Sequence, residues 1–166
     1  MPLTSEDLTH LNRCVELAEQ AVDAGDQPFG SLLVDSAGVV RFEDHNHEGG
    51  GDGTQHPEFA IARWAAQHLT PEERSAATVY TSGEHCPMCS AAHAWVGLGR
   101  IAYAASSAQL GGWLREIGVP AGPVTPFSIQ EVAPGIRVDG PAPGLADRLR
   151  ALHQRFHEGR PGDLTC

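Results

Sequence analysis

Two of the chain's four cysteines fall in one short run, Gly83-Glu84-His85-Cys86-Pro87-Met88-Cys89-Ser90, while Cys14 and Cys166 stand alone. A Cys-x-x-Cys pair has three common chemistries: half of a zinc site, a thioredoxin-like redox couple, or two buried thiols. A zinc site needs further ligands, with three protein donors when the metal is catalytic and four when it is structural. The nine histidines offer many candidates, so local grammar has to select among them. Cys86 precedes Pro87, and proline favours the first position of a helix. Cys86 then caps that helix and Cys89 lies one turn in. Both thiols face the positive end of the helix dipole, which favours thiolate. His56-Pro57-Glu58 repeats the pattern: a ligand-capable residue, a helix-opening proline, an acid in the first turn. Two helices with converging N-termini would gather His56, Cys86 and Cys89 around one point, with Glu58 beside them.

Plainer readings compete with this one. His93, four residues after Cys89, offers a fourth ligand and so a purely structural zinc site. Glu58 alone could simply answer the dipole of its helix. No thioredoxin-like context surrounds the cysteines. Asn46 suits a turn after a strand, Phe29 and Trp95 suit a core, and His45, His47 and His85 suit loops or surface. Cys14 reads as a buried thiol on an apolar helix face and Cys166 as an exposed tail residue.

The elements that must position these residues are legible in the spacing of apolar positions. Residues 5–24 carry Leu8, Leu11, Val15, Ala18 and Val22 at helical intervals, with Ser5 as cap and Gly25 as stop. Residues 30–34 (GSLLV) and 39–43 (VVRFE) read as two strands joined at DSAG, a hairpin. A loop, NHEGGGDGTQ, follows over 46–55. A second helix spans 57–69 and stops at Thr70-Pro71. Residues 78–82 form a strand, 87–97 a helix, 100–105 a strand and 107–117 a helix. Residues 143–158 form a closing amphipathic helix. A hairpin followed by alternating helices and strands implies a mixed sheet covered on both faces.

Composition narrows the chemistry. The 166 residues suit one domain, residues 1–166, with a real core, although the Gly/Pro-rich stretch 118–126 marks a transition toward a C-terminal extension. All eleven bases are arginine, so Schiff-base and pyridoxal chemistry and a P-loop, which need lysine, are excluded. A net charge of −10 argues against a nucleic-acid partner. No apolar run approaches the ~20 residues of a membrane span, and the polar start MPLTSEDLTH is no secretory signal. A cytoplasmic location is the expectation.

Taken together, His56-Pro57-Glu58 and Cys86-Pro87-Met88-Cys89 follow the H-x-E…P-C-x-x-C signature of zinc nucleobase deaminases, with the proline here inside the cysteine pair. With Pro28-Phe29-Gly30, Asn46, Tyr80–Glu84 (YTSGE) and 86–95 (CPMCSAAHAW), the chain resembles the cytidine deaminase superfamily from about Pro28 to Tyr103, and within it the guanine deaminase and tRNA adenosine deaminase branch. The resemblance implies an α/β fold, a three-layer α/β/α sandwich around a mixed five-stranded sheet, and a homodimer joined through a helix face. It implies that His56, Cys86 and Cys89 bind Zn2+ and leave a fourth position to water, whose pKa then falls toward ~7. Hydroxide attacks a ring carbon bearing an exocyclic amine, and Glu58 shuttles the protons. Backbone N–H groups at the Cys86 helix start orient the hydroxide. Asn46 matches the asparagine that hydrogen-bonds the base, Phe29 and Trp95 match the pocket walls, and Glu116 lies where guanine deaminases place an acid that reads the purine edge.

Two departures stand out. His85 replaces a usual proline, and is expected either to contact substrate or to face solvent. HPE replaces the commoner HAE, which keeps the ligands. With the acidic charge and no arginine flanking the pocket motifs, a free base or related azaheterocycle is the expected substrate: guanine, isoguanine, a cytosine analogue or an aminotriazine. A nucleoside and tRNA adenosine are the alternatives. An inactive zinc-bearing binding module is the non-enzyme alternative, and intact Glu58 argues against it. The closing helix, 143–158, is expected over or near the active site, with Phe156 or His157 against substrate.

Overall fold

The computed structural model describes residues 2–159; Cys166 lies outside the described residues. Helix α1 (Ser5–Ala24) leads into the hairpin β1 (Gly30–Val34) and β2 (Val40–His45). Helices α2 (Pro57–His68) and α3 (Pro71–Ala76) precede β3 (Thr78–Gly83), α4 (Pro87–Trp95), β4 (Arg100–Ala105) and α5 (Ser107–Glu116). A short α6 (Ile129–Val132), β5 (Val138–Asp139) and α7 (Ala146–Glu158) complete the described residues. The strands form one sheet in the order β2-β1-β3-β4-β5. β1 is antiparallel to both β2 and β3, while β3, β4 and β5 run parallel. This is the mixed five-stranded sheet expected from the sequence.

Both faces of the sheet are covered. Leu32, Val34, Tyr80, Ala102 and Ala104 pack against Leu11, Cys14, Val15 and Ala18 of α1 and Leu149 and Leu152 of α7. Leu33 and Val79 face the other way, onto Ile61, Ala62 and Ala65 of α2 and Ala92 of α4. Alternation along a strand then fixes the site. Ser31 and Thr81 sit opposite one another in the β1–β3 register, on the α2 face, in positions where a core strand would otherwise carry apolar side chains. Gly30 is required by close packing, because a Cβ there would lie 2.4 Å from Leu17 Cβ and 2.5 Å from the Cys14 carbonyl oxygen.

Several boundaries differ from the sequence reading. Thr4, not Ser5, caps α1, in a reciprocal capping box with Asp7. Thr70-Pro71 ends α2 but also starts α3, because Thr70 accepts from the Glu73 N–H and the Glu73 carboxylate returns the bond. Pro71 thus opens a helix as well as closing one. The fifth strand is only two residues long, too short for any alternation to announce it. The sheet end at β4 is tied by charge. Arg100 donates to both Asp7 carboxylate oxygens (2.6 and 3.1 Å) and to Asp139 (2.6 Å), while the Tyr80 hydroxyl donates to Asp7 at 2.8 Å. No helix among the described residues is long and apolar enough to cross a membrane.

Candidate active site

The two proline-opened helices do converge. His56 is the N-cap of α2 and Cys86 the N-cap of α4, each followed by proline at the first helical position. His56 Nδ1 lies 3.5 Å from Cys86 Sγ and 3.6 Å from Cys89 Sγ. Around a tetrahedral zinc with Zn–S of about 2.3 Å and Zn–N of about 2.05 Å, sulfur and nitrogen ligands stand about 3.6 Å apart. The donor set and its spacing therefore fit zinc.

Among the described residues the group has three members. His93 is not a fourth: its Nε2 is 2.9 Å from the Gly99 carbonyl oxygen. A closed Cys2His2 structural site is ruled out, and a three-donor site leaves an open coordination position.

Electrostatics in the group are tightly linked. A hydrogen bond from Cys89 is the largest influence on Cys86; with His56 it outweighs burial and brings the thiol down to about 4. Cys89, the donor of that bond, is pushed up, by the bond first and by burial second. Burial alone would lower His56, but the Cys86 hydrogen bond, Glu48 and the charge of Glu58 raise it to about 10. Glu48 Oε2 stands 3.6 Å from His56 Nε2, on the far side of the ring from the sulfurs. A carboxylate behind a ligand imidazole orients the ring and raises its basicity.

Glu58 is 6% exposed. Its Oε1 accepts from Ser31 Oγ at 2.6 Å and Thr81 Oγ1 at 2.8 Å. Its Oε2 is 3.8 Å from Cys89 Sγ. One oxygen is therefore anchored to the sheet and the other faces the three donors. Burial raises the Glu58 pKa, with the Ser31 and Thr81 hydrogen bonds and the charge of His56 opposing. A buried carboxyl whose pKa is raised holds a proton more readily, which suits proton transfer. The sequence reading missed Ser31, Thr81 and Glu48. The two hydroxyls had a signal, as polar side chains interrupting buried strands on one face.

The remaining candidates divide. Asn46 is fully buried at the end of β2, its Oδ1 accepting the Glu48 N–H at 2.9 Å and its amide donating to the Glu48 carboxylate. Phe29 lies against Gly83, where an added Cβ would be 3.0 Å from the ring, and meets His153 of α7 edge-on at 5.3 Å. So α7 reaches the wall where Phe29 stands, through His153; Phe156 and His157 pack edge-on against each other. His153 is buried, which lowers its pKa to about 3.

Three candidates sit differently from the sequence reading. Trp95 ends α4 with 87% of its surface exposed and lines no pocket within the described chain, because the helix turns that face outward. Glu116 is exposed and pairs with Arg150 of α7. His85 does not face solvent. It is 1% exposed, edge-on to His93 at 5.5 Å, with neither ring nitrogen bonded, and burial drives its pKa far down. A groove of about 620 Å³ runs between Ser75–Thr78, Leu98–Arg100 and Gly135–Arg137 at the opposite end of β3 and β4.

Residues 4–105 match the zinc-binding region of the cytidine and deoxycytidylate deaminases, and the chain belongs to that family. It is 34% identical over 108 residues to a probable cytosine deaminase of Schizosaccharomyces pombe, covering 65% of each chain. It is 35% identical over 98 residues to a guanine deaminase of Bacillus subtilis, covering 58% of this chain and 63% of that one. The matches thus span just under two thirds of these relatives' lengths. The relatives also include a tRNA-specific adenosine deaminase of Agrobacterium fabrum. In fold, the chain is similar to a solved guanine deaminase of Nitrosomonas europaea, with a TM-score of 0.69 at 21% identity over 95% of this chain and 87% of that one.

Proposed function

We propose that the chain is a zinc-dependent hydrolytic deaminase of a free nucleobase or a related aminated azaheterocycle. The observation that carries this is the three-donor group of His56, Cys86 and Cys89 with Glu58 Oε2 turned toward it. When bound there, zinc supplies a water acidified enough to act as nucleophile near neutral pH. The chain's own residues do the rest. Ser31 and Thr81 fix Glu58 Oε1, so Oε2 is the proton-carrying oxygen. It would take one proton from the attacking water and pass it to the ring nitrogen beside the reacting carbon, then take the remaining hydroxyl proton and pass it to the amine, which leaves as ammonia. Glu48 holds the His56 ring from behind. Phe29 offers a flat apolar wall, and Asn46, whose amide nitrogen gives one hydrogen to Glu48, has its second hydrogen for the base.

The free-base assignment rests on the charge of −10 and the absence of lysine, which disfavour a polyanionic substrate. The proposal includes a homodimer through the α4 face that exposes Trp95. Sedimentation should show a dimer for the wild type and a monomer for Trp95→Arg; a monomeric wild type contradicts it. Substrate class is tested by ammonia release from zinc-loaded protein over a panel of bases, nucleosides, aminotriazines and a tRNA anticodon stem. Release from a free base is expected. Release only from the RNA or a nucleoside refutes the free-base assignment.

A further inference from the structure

A second cluster of metal-capable side chains lies on the other side of Asn46. One donor atom each from Asp26, His45 and His47 comes within 4.8 Å of the others. The three residues come from two pinned pieces of backbone, Asp26 from one and His45 and His47 from the other. Asp26 follows the α1 cap and its N–H bonds the Ala21 carbonyl; the Asn46 N–H bonds Phe29, and the His47 N–H bonds Gln55. Asp26 is 8% exposed, and one carboxylate oxygen accepts the Gly49 N–H at 2.6 Å. That contact explains Gly49, where a Cβ would sit 2.6 Å from the same oxygen. The two imidazoles lie with centroids 4.4 Å apart.

Each imidazole also has the outer hydrogen bond that metal-ligating histidines use to fix their tautomer. His45 Nδ1 is 2.8 Å from the Asn46 carbonyl oxygen, and His47 Nε2 is 2.7 Å from Asp44 Oδ1. The other nitrogen of each ring has no partner among the described residues. Asp44 is itself held by the His45 N–H at 2.8 Å. His47 is about half exposed, which leaves a path for an ion.

We propose that Asp26, His45 and His47 form a second metal site, for a borderline divalent transition cation such as Zn2+. Two imidazoles and one carboxylate suit zinc, nickel, copper or cobalt rather than magnesium or calcium, which prefer all-oxygen shells. Three protein donors leave water in the remaining positions. The segment 45–48 then serves two centres by alternation. His45 and His47 hold the second ion, while Asn46 and Glu48 point toward the first. Occupancy of the second site ties the end of α1 to this segment and stiffens the support of His56.

The test is metal stoichiometry. Wild type, the double variant His45→Ala/His47→Ala and Asp26→Asn, which keeps an oxygen for Gly49, are equilibrated with Zn2+, freed of excess and assayed for bound metal. Co2+ titration followed by visible absorption gives affinity. The double variant should hold one ion fewer than the wild type, and Asp26→Asn should bind the second ion at least ~10-fold more weakly, the lower bound for losing even an outer partner of a ligand. Mg2+ should not compete. If His56, Cys86 and Cys89 held no metal, the counts would be one and zero, and the difference would still stand. Equal counts overturn the proposal. Circular dichroism checks folding, and His47→Gln, a change at a half-exposed side chain, repeats the test if the double variant unfolds.

Discussion

Replacing Arg100 by methionine separates the stability of the sheet from the chemistry of the site. Arg100 is the cation between two carboxylates, Asp7 and Asp139, whose side chains are each 6% exposed; its own side chain is 16% exposed. Removing one partner of a buried ion pair costs ~3–5 kcal/mol because the other charge is left uncompensated. Partial exposure of Arg100 and the nearby Arg137, 3.4 Å from Asp139, put this case at the lower end, about 3 kcal/mol. For a chain of this size each kcal/mol moves Tm by ~2–4 °C, so a drop of about 6–12 °C is expected.

The sign of the pH dependence is also fixed. Burial raises the Asp7 pKa, but Arg100, Thr4 and Tyr80 hold it far below the ordinary carboxylate range. In the wild type this stabilisation is complete above the unfolded carboxylate pKa of ~3.9 and is lost as pH falls below it. In Arg100→Met the Thr4 and Tyr80 bonds to Asp7 remain and the cation is gone, so the folded Asp7 pKa rises from its wild-type position. Less carboxylate stabilisation is then left to lose on acidification, and the gap to wild type narrows from pH 8 to pH 3. Thermal unfolding at both pH values measures this, with Arg100→Met/Asp7→Asn as rescue. A Tm loss under about 2 °C, or one independent of pH, refutes the reasoning. Arg100 begins β4, at the end of the sheet away from Glu58, so zinc content should be unchanged.

The site itself gives further expectations. Ser31→Ala removes one of the two hydroxyls holding Glu58 Oε1. A hydrogen bond to a charged group is worth ~1.5–3 kcal/mol, so kcat should fall ~10–100-fold with zinc retained; loss of zinc instead would mean that Ser31 supports the metal ligands rather than the proton carrier. His56, raised to about 10, and Cys89, pushed up by the Cys86 bond, hold protons at pH 7.5 that a metal must displace. Calorimetry in buffers of different ionisation heat should therefore show about two protons released per zinc bound at this centre, measured in the His45→Ala/His47→Ala background; release near zero contradicts the assignment of protonated ligands.

Much of the site was legible because its grammar is local. A donor before a helix-opening proline, twice, placed His56, Cys86 and Cys89, and the acid one residue beyond Pro57 placed Glu58. Capping and alternation likewise gave α1, the hairpin, β3 and β4. What stayed hidden depends on packing between distant segments. Ser31 and Thr81 matter because β1 and β3 pair in a register that stacks them beneath Glu58, and that register is set across 50 residues. Trp95 matched a pocket position by sequence, but the direction of the α4 face is decided by how that helix lies on α2 and the sheet. The pairing of Glu116 with Arg150 depends on where α7 lies, which no local pattern shows. His45 and His47 looked like loop histidines because the third member, Asp26, arrives from the end of α1.

The central claim is that Glu58 carries the protons of a hydrolytic deamination at the His56–Cys86–Cys89 centre. The most direct measurement is ammonia release by zinc-loaded wild type and Glu58→Ala on the best base of the panel, with bound zinc counted in both. Proton transfer of this kind contributes ~10²–10⁴-fold, so the account predicts that the variant keeps its zinc and loses at least ~100-fold in kcat. A variant that keeps its zinc and releases ammonia at the wild-type rate contradicts it.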